Sequence, residues 1–289
     1  MTIEAALETE RRINELVGNI DHIATLPEVT ARITAVANDP RSTAADLHRV
    51  IAHDPALVSR ILRLVNSAFY ARTTEVTSIE RAIVLLGFDT VHHLAIAATV
   101  GQLFRGVELC KGYTARDLWT HCIGVAAVAR DIARRVCPPM AEEVFLGALL
   151  HDVGLLVSLQ VCPHKLRRVC ELAQADPRSF SMYELDIIGV DHQELGSALA
   201  QRWKFPTVCR VGAGHHHHPA MAQDGWQIVA GIIQAADVLC CQGGVGFSLT
   251  AAGQLADEAF FMGFVPSTVI DSARERLAEI TGPAIAVFG

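Results

Sequence analysis

The stretch EEVFLGALLHDVGLLVSL, residues 142–159, decides the fold. After its two leading acids it is almost entirely apolar, except where His151 and Asp152 stand side by side. No period-two alternation runs through it, so it reads as a buried helix with the adjacent pair embedded in it. Burying a carboxylate without a partner is costly, and Asp152 therefore needs a cation or hydrogen-bond donors close by. The same pair interrupts the apolar run before it reaches the roughly twenty residues of a membrane span.

Helical periodicity extends outward from this segment. In DPALVSRILRLVNSAF (54–69), Leu57, Ile61, Leu64, Val65 and Ala68 share one face. Helix starts are marked by Ser42 or Thr43, by Asp54-Pro55 and by Ser78, and Gly87 is a stop. These signs predict an all-α protein. A polar break at FRGVELCKGYTARD (104–117) divides the chain into an N-terminal helical lobe, residues 1–114, and a second lobe, residues 115–245. The remaining residues, 246–289, read as helices that cover the second lobe.

Composition narrows the function classes. With 289 residues, 51% of them hydrophobic and 19% charged, the chain has ample material for a large core. A formal charge of −7 argues against DNA or RNA as a partner, because nucleic-acid domains present a basic face to phosphates. The start, MTIEAALETERRINELV, is charged and amphipathic rather than basic and then apolar, which is not a secretory leader. Eight cysteines without a Cys-x-x-Cys pair fit a reduced, cytoplasmic protein with no membrane partner.

Several further polar residues occupy positions that should be buried. In DLWTHCIGVAAVARDIARRV (117–136), His121 lies on the face of Leu118, Val125, Ala129 and Ile132. In IVAGIIQAADVLCC (228–241), Asp237 follows Ile233 by one turn on an otherwise apolar helix. VDHQELGSALAQRW (190–203) reads as a helix capped by Asp191, with Glu194 as its capping-box partner and His192 in the first turn. GAGHHHHPA (212–220) adds four consecutive histidines, His215 to His218. Singly, each has an ordinary structural explanation. As a set they supply the imidazole and carboxylate groups that bind Mn, Fe, Co or Zn, and a divalent cation would remove the desolvation problem of two buried aspartates.

The set is organised by a resemblance. GALLHDVGLLV resembles the His-Asp doublet of the HD superfamily of metal-dependent phosphohydrolases. The segments 26–70 and 77–96 resemble the N-terminal half of the HDOD domain, through Leu26-Pro27, Asp54-Pro55, Leu64 with Asn66-Ser67, and Ala82-Ile83 with Leu86-Gly87. GVDHQELGSALAQRWKFP (189–206) and HHHP (216–219) are similar to its second half, so the resemblance covers roughly residues 20 to 240. It implies an HDOD fold in which an N-terminal helical lobe packs on an HD-like lobe, and a signalling module whose members have generally lost clear enzymatic activity. On the pattern of the related HD-GYP phosphodiesterases, the metal ligands fall on His121, His151, Asp152, His192, His216, His217 and Asp237. Two elements depart from that pattern. The lysine that follows the doublet in that pattern is replaced, the run here being His151-Asp152-Val153-Gly154-Leu155, and HHHHPAMAQDGW (215–226) lacks the Gly-Tyr-Pro loop.

Three readings follow. The favoured one is a cytoplasmic regulatory module that retains a metal site and binds a signalling protein or a small nucleotide ligand in trans. The second is a phosphohydrolase or phosphodiesterase with one or two divalent ions, Fe or Mn. Its catalytic Asp152 would bridge a site of His121, His151 and Asp237 and a site of His192, His216 and His217, with the metals about 3.5–4 Å apart. The third keeps the polar set as a hydrogen-bonded network without metal. His215 and His218 have no assigned role and are expected to face solvent or to orient a ligand.

Overall fold

Local sequence sets the helix boundaries of the N-terminal half. In the computed structural model, residues 3–18, 28–70, 74–104, 108–176, 180–251 and 265–289 are described. Leu26-Pro27 and most of the apolar segment 249–264 lie outside them. The chain opens with α1 (Ile3–Gly18), α2 (Glu28–Asn38), α3 (Ala44–Ala52) and α4 (Pro55–Val65). Thr43 caps α3 in a reciprocal box with Asp46, and Asp54 accepts from the Leu57 amide with Pro55 at the first helical position of α4. Ser78 caps α5 (Ile79–Leu86), which stops at Gly87, where φ is +89°. The apolar face of α4 is buried through Leu57, Ile61, Leu64 and Val65. The Asn66 amide exchanges hydrogen bonds of 2.8 and 2.7 Å with the carbonyl and amide of Val76, which explains an asparagine just after α4.

The next helix, α6 (Phe88–Val100), is buried on nearly every side. It packs on α2, α4 and α5 and, on its other flank, on α8 (Ala141–Leu149), joining the two halves of the molecule. Between them, within the break expected at 104–117, a small antiparallel hairpin pairs Glu108–Cys110 with Tyr113–Thr114. Two and three residues are too few for alternation to be seen in the sequence.

The long helix α7 (Ala115–Val136), capped by the Thr114/Asp117 box, is the axis of the second half. Around it stand α8, α14 (Gln227–Gln242) and the last helix, α16 (Leu277–Phe288). Beyond α8 follow α9 (Val153–Val161), α10 (Pro163–Ala175), α11 (Phe180–Ile187), α12 (His192–Arg202) and α13 (Thr207–His215). The short α15 (Ser267–Glu275) precedes α16. α16 also touches α4 and the turn at Ala68–Tyr70, so it contacts both halves of the chain.

The deciding segment departs from its expected form. His151 and Asp152 are not inside a continuous helix: α8 ends at Leu149 and α9 begins at Val153. Leu150 and Asp152 adopt the bridge conformation, with φ/ψ of −108°/8° and −97°/16°. The break turns both polar side chains the same way, which one continuous helix cannot do for adjacent residues spaced about 100° apart. The stretch Pro138–Val161 is long and apolar enough to cross a membrane, yet 89% of its most apolar window is buried inside the fold.

Candidate metal centre

Five helical segments bring the seven expected residues together. His121 comes from the second turn of α7, His151 and Asp152 from the break before α9, and His192 from the first turn of α12. His216 and His217 follow the end of α13, and Asp237 lies in α14. Six of the seven have no exposed surface, and His217 retains 4%. Of the other two members of the histidine run, His218 is exposed and His215 half-buried.

Backbone and carboxylate acceptors fix the orientation of four imidazoles. Nδ1 of His151 donates to the Ala148 carbonyl at 2.7 Å, that of His216 to Gly212 at 2.8 Å, and that of His121 to Val245 at 3.1 Å. Nδ1 of His192 donates to the Glu184 carboxylate. With the proton on Nδ1, each ring turns an Nε2 lone pair inward, the usual way a protein prepares a histidine ligand. The Nε2 atoms of His192 and His216 face each other at 3.3 Å, and that of His217 stands 3.0 Å from His192. Lone pairs so placed repel unless a cation or a proton lies between them.

Asp152 divides its two oxygens between two groups of nitrogen ligands. Oδ1 lies 3.5 Å from the Nε2 atoms of both His192 and His216. Oδ2 lies 3.3 Å from His151 Nε2 and 4.0 Å from His121 Nε2. His121 Nε2 in turn is 3.0 Å from Asp237 Oδ1. The ligand atoms of His192, His216 and His217 all lie within 4.8 Å of one another, as do those of His121, His151 and Asp152. Both oxygens of Asp152, Nε2 of His151 and Oδ2 of Asp237 are buried without a hydrogen-bond partner. A hydrogen-bonded network satisfies its members, and this one leaves its central carboxylate unsatisfied. The donor set, two buried carboxylates and inward imidazole nitrogens, fits a divalent cation.

Electrostatics agree with that chemistry. Burial alone would raise Asp152, but the imidazoles of His151, His216 and His192 hold it well below the usual carboxylate range. Asp237 is likewise depressed, against its burial, chiefly by His121. Burial together with the neighbouring rings of His216 and His192 keeps His217 neutral far below its ordinary value. His192 is the opposite case: against its burial, the Glu184 carboxylate raises it to about 10, so without a cation the ring carries a second proton on Nε2, which a bound ion would displace.

Two contributors lie outside the residues singled out from the sequence. Glu184, in α11, is fully buried and accepts from both the backbone amide and the ring of His192. It lies in FSMYELDI, a segment with no motif to mark it. Cys241, one turn after Asp237, donates its thiol to Asp237 Oδ1 at 3.4 Å and completes a further group with His121 and Asp237. Its i, i+4 spacing from Asp237 was visible in the sequence.

Position 154, two residues after Asp152, is closed. A Cβ placed on Gly154 would lie 1.9 Å from the His192 carbonyl oxygen and 2.8 Å from the Gly196 amide. Helices α9 and α12 meet there backbone to backbone, so no side chain reaches the centre from position 154. On the other side, Gly246 (φ +67°) lets the chain lie against α7, where a Cβ would stand 2.5 Å from the His121 amide.

An all-helical fold whose buried His-Asp doublet meets further histidines and a distal aspartate defines a protein of the HD type. The family model described as the HDOD domain matches residues 23–219, more than half of the sequence, and the chain belongs to that family. Among solved structures, an HDOD domain protein from Geobacter sulfurreducens shares 23% identity over 98% of this chain and 99% of its own, with a TM-score of 0.80. A Shewanella amazonensis SB2B protein, provisionally named a phosphohydrolase, is 28% identical over 94% of this chain and 96% of its own (TM-score 0.74). A curated relative, an uncharacterised protein of Treponema pallidum (strain Nichols), is 27% identical over 221 residues. These are 75% of this chain but only 42% of that protein's length.

Proposed function

We propose that the chain is a regulatory HDOD module that holds divalent metal in a closed His/Asp centre and acts on a signalling partner in trans rather than by hydrolysis. The observation that carries this reading is closure: the expected ligands are at most 4% exposed. A hydrolase needs a path by which a phosphate reaches the metal ligands. A module needs only that its helices be held in register.

His192, His216, His217 and Asp152 would hold one ion, and His121, His151, Asp237 and Asp152 a second. Mixed imidazole and carboxylate donors favour Fe or Mn over a closed structural zinc. Such an ion supplies Lewis acidity and lowers the pKa of a bound water. The residues themselves supply orientation: Glu184 and three backbone carbonyls hold four rings with Nε2 inward. The split of Asp152 between two nitrogen groups supports metal binding, and the Shewanella neighbour's name keeps hydrolysis as the second reading, with Asp152 as its bridging residue.

Elemental analysis of untagged protein purified without oxygen or chelator, followed by a phosphodiesterase assay on bis(p-nitrophenyl) phosphate, separates the readings. One or two Fe or Mn per chain without turnover is the expected result. Turnover by the metal-loaded protein that Asp152→Asn abolishes would establish the second reading instead. Absence of stoichiometric metal would refute both.

A further inference from the structure

Away from the metal centre, a cavity of about 580 Å³ opens where α4, α6, α7 and α16 meet. Three arginines line it: Arg60 and Arg63 from α4 and Arg116 from the first turn of α7. No aspartate or glutamate side chain does, in a chain whose formal charge is −7, and the last residue of the sequence, Gly289, lies at its wall beside Phe288. Among the described residues neither Arg63 nor Arg116 forms an ion pair. The one carboxylate near Arg60, Asp54, is 3.9 Å away and already serves as the cap of α4. Nε of Arg60 is buried without a hydrogen-bond partner.

The aromatic wall of this cavity is rigid. Trp119 is stacked on Phe104 with ring centroids 5.1 Å apart. Its indole nitrogen donates to the Phe288 carbonyl at 2.8 Å. Its back lies so close to Gly101 that a Cβ there would be 2.6 Å from the ring. A fixed apolar wall beside converging guanidinium groups suits a ligand with an apolar or heteroaromatic body and more than one negative charge. Guanidinium forks match phosphate oxygens pairwise. The volume falls in the range of sites for small molecules and cofactors, roughly 300–1,000 Å³.

We infer that this cavity is a binding site for a phosphorylated small molecule of nucleotide size, held by Arg60, Arg63 and Arg116 against Trp119. It deepens the regulatory reading by naming a ligand class, and it shares no residue with the metal centre. Because its walls come from both halves of the chain, an occupant bridges α4 to α7 and makes their relative placement depend on ligand.

The test is calorimetric titration of the full, metal-loaded chain with ATP, GTP and a cyclic dinucleotide at low ionic strength, repeated on Arg63→Glu and Arg116→Glu. Both arginines are exposed at their edges, so these variants retain the fold, checked by unchanged melting and metal content. One-to-one binding of at least one probe, weakened tenfold or more by each glutamate, is expected. No binding of any probe overturns the proposal, as does binding that the glutamates leave unchanged. A ten-residue polyglutamate that binds where nucleotides do not would also overturn it, in favour of an acidic protein partner. Metal-replete protein that binds no nucleotide leaves the metal reading standing, and metal-free protein that binds one does the reverse.

Discussion

Gly154→Ala is the sharpest test of the closed centre, because two physical effects predict opposite signs. On a free helix surface, alanine in place of glycine stabilises by about 1 kcal/mol through backbone entropy. Gly154 lies inside α9, so this gain is available there. Its Cβ, however, would lie 1.9 Å from the His192 carbonyl oxygen, where ordinary contact begins at 3.4 Å, and both nearest atoms are backbone. Neither can rotate away, so α9 and α12 must part by on the order of an ångström, at a cost of roughly 3 kcal/mol or more. The net loss is about 2 kcal/mol, or roughly 4–8 °C in melting temperature for a domain of this size. Urea unfolding followed by circular dichroism in chelator isolates the packing effect, and metal analysis of the native protein reads displacement of His192. A variant as stable as the parent, or more so, and with full metal content would refute the claim that position 154 is sealed by backbone.

Further predictions test other links. Glu184→Gln removes the charge that orients His192 and should weaken metal retention about 10–100-fold in chelator competition while the protein stays folded. Arg130, 3% exposed, places its guanidinium 4.4 Å from the centre of Phe69 and 4.8 Å from that of Tyr70, and pairs with Glu142 at 2.6 Å. Arg130→Ala should therefore cost about 2–4 kcal/mol in denaturant unfolding, with Arg130→Lys recovering only part. Burial holds His92 at about 3 and His93 at about 4, so both are neutral in the folded chain at neutral pH. The unfolded chain takes up their protons below about pH 6.5, so the stability they lend is full above that pH. It is lost toward pH 4 at up to about 1.4 kcal/mol per unit for each. A double variant, His92→Gln with His93→Gln, should show a shallower decline between pH 6.5 and 4.5. An identical slope would mean that these imidazoles are not the groups titrating.

Much of this was legible in the sequence because it rests on local chemistry. Thr43, Asp54, Ser78 and Asp191 each cap the helix that their position announced, since capping needs only neighbours three residues away. The inward direction of His121 and Asp237 followed from helical period alone. The break at Leu150–Asp152 did not, because the apolar run on both sides looks the same whether the helix continues or turns. Glu184 was invisible for another reason: its partner His192 is eight residues away across a turn, and no spacing rule links a buried acid to a ring it orients. The closure at Gly154 depends on where α12 lies, a tertiary fact that a glycine in an apolar helix does not disclose.

The arrangement also bears on how the two sites relate. The candidate metal ligands come from α7, the α8–α9 break, α12, the end of α13 and α14, segments up to 116 positions apart along the chain. A cation that binds only the folded arrangement stabilises it by mass action, by about 4 kcal/mol when present at a thousand times its dissociation constant. In a closed centre that energy goes into fixing helices rather than into chemistry. Helix α7 is common to both sites: Arg116 and Trp119 line the cavity, and His121 follows within two turns on the same rigid element. Any tilt of α7 imposed by a ligand between Arg116 and α4 must move His121 against Asp237 and Val245, its two partners. Linkage makes the consequence measurable from either side: the factor by which nucleotide changes metal affinity must equal the factor by which metal changes nucleotide affinity. Unequal factors would show that the two ligands are not reading one equilibrium, and a factor of one would show that α7 does not transmit between them.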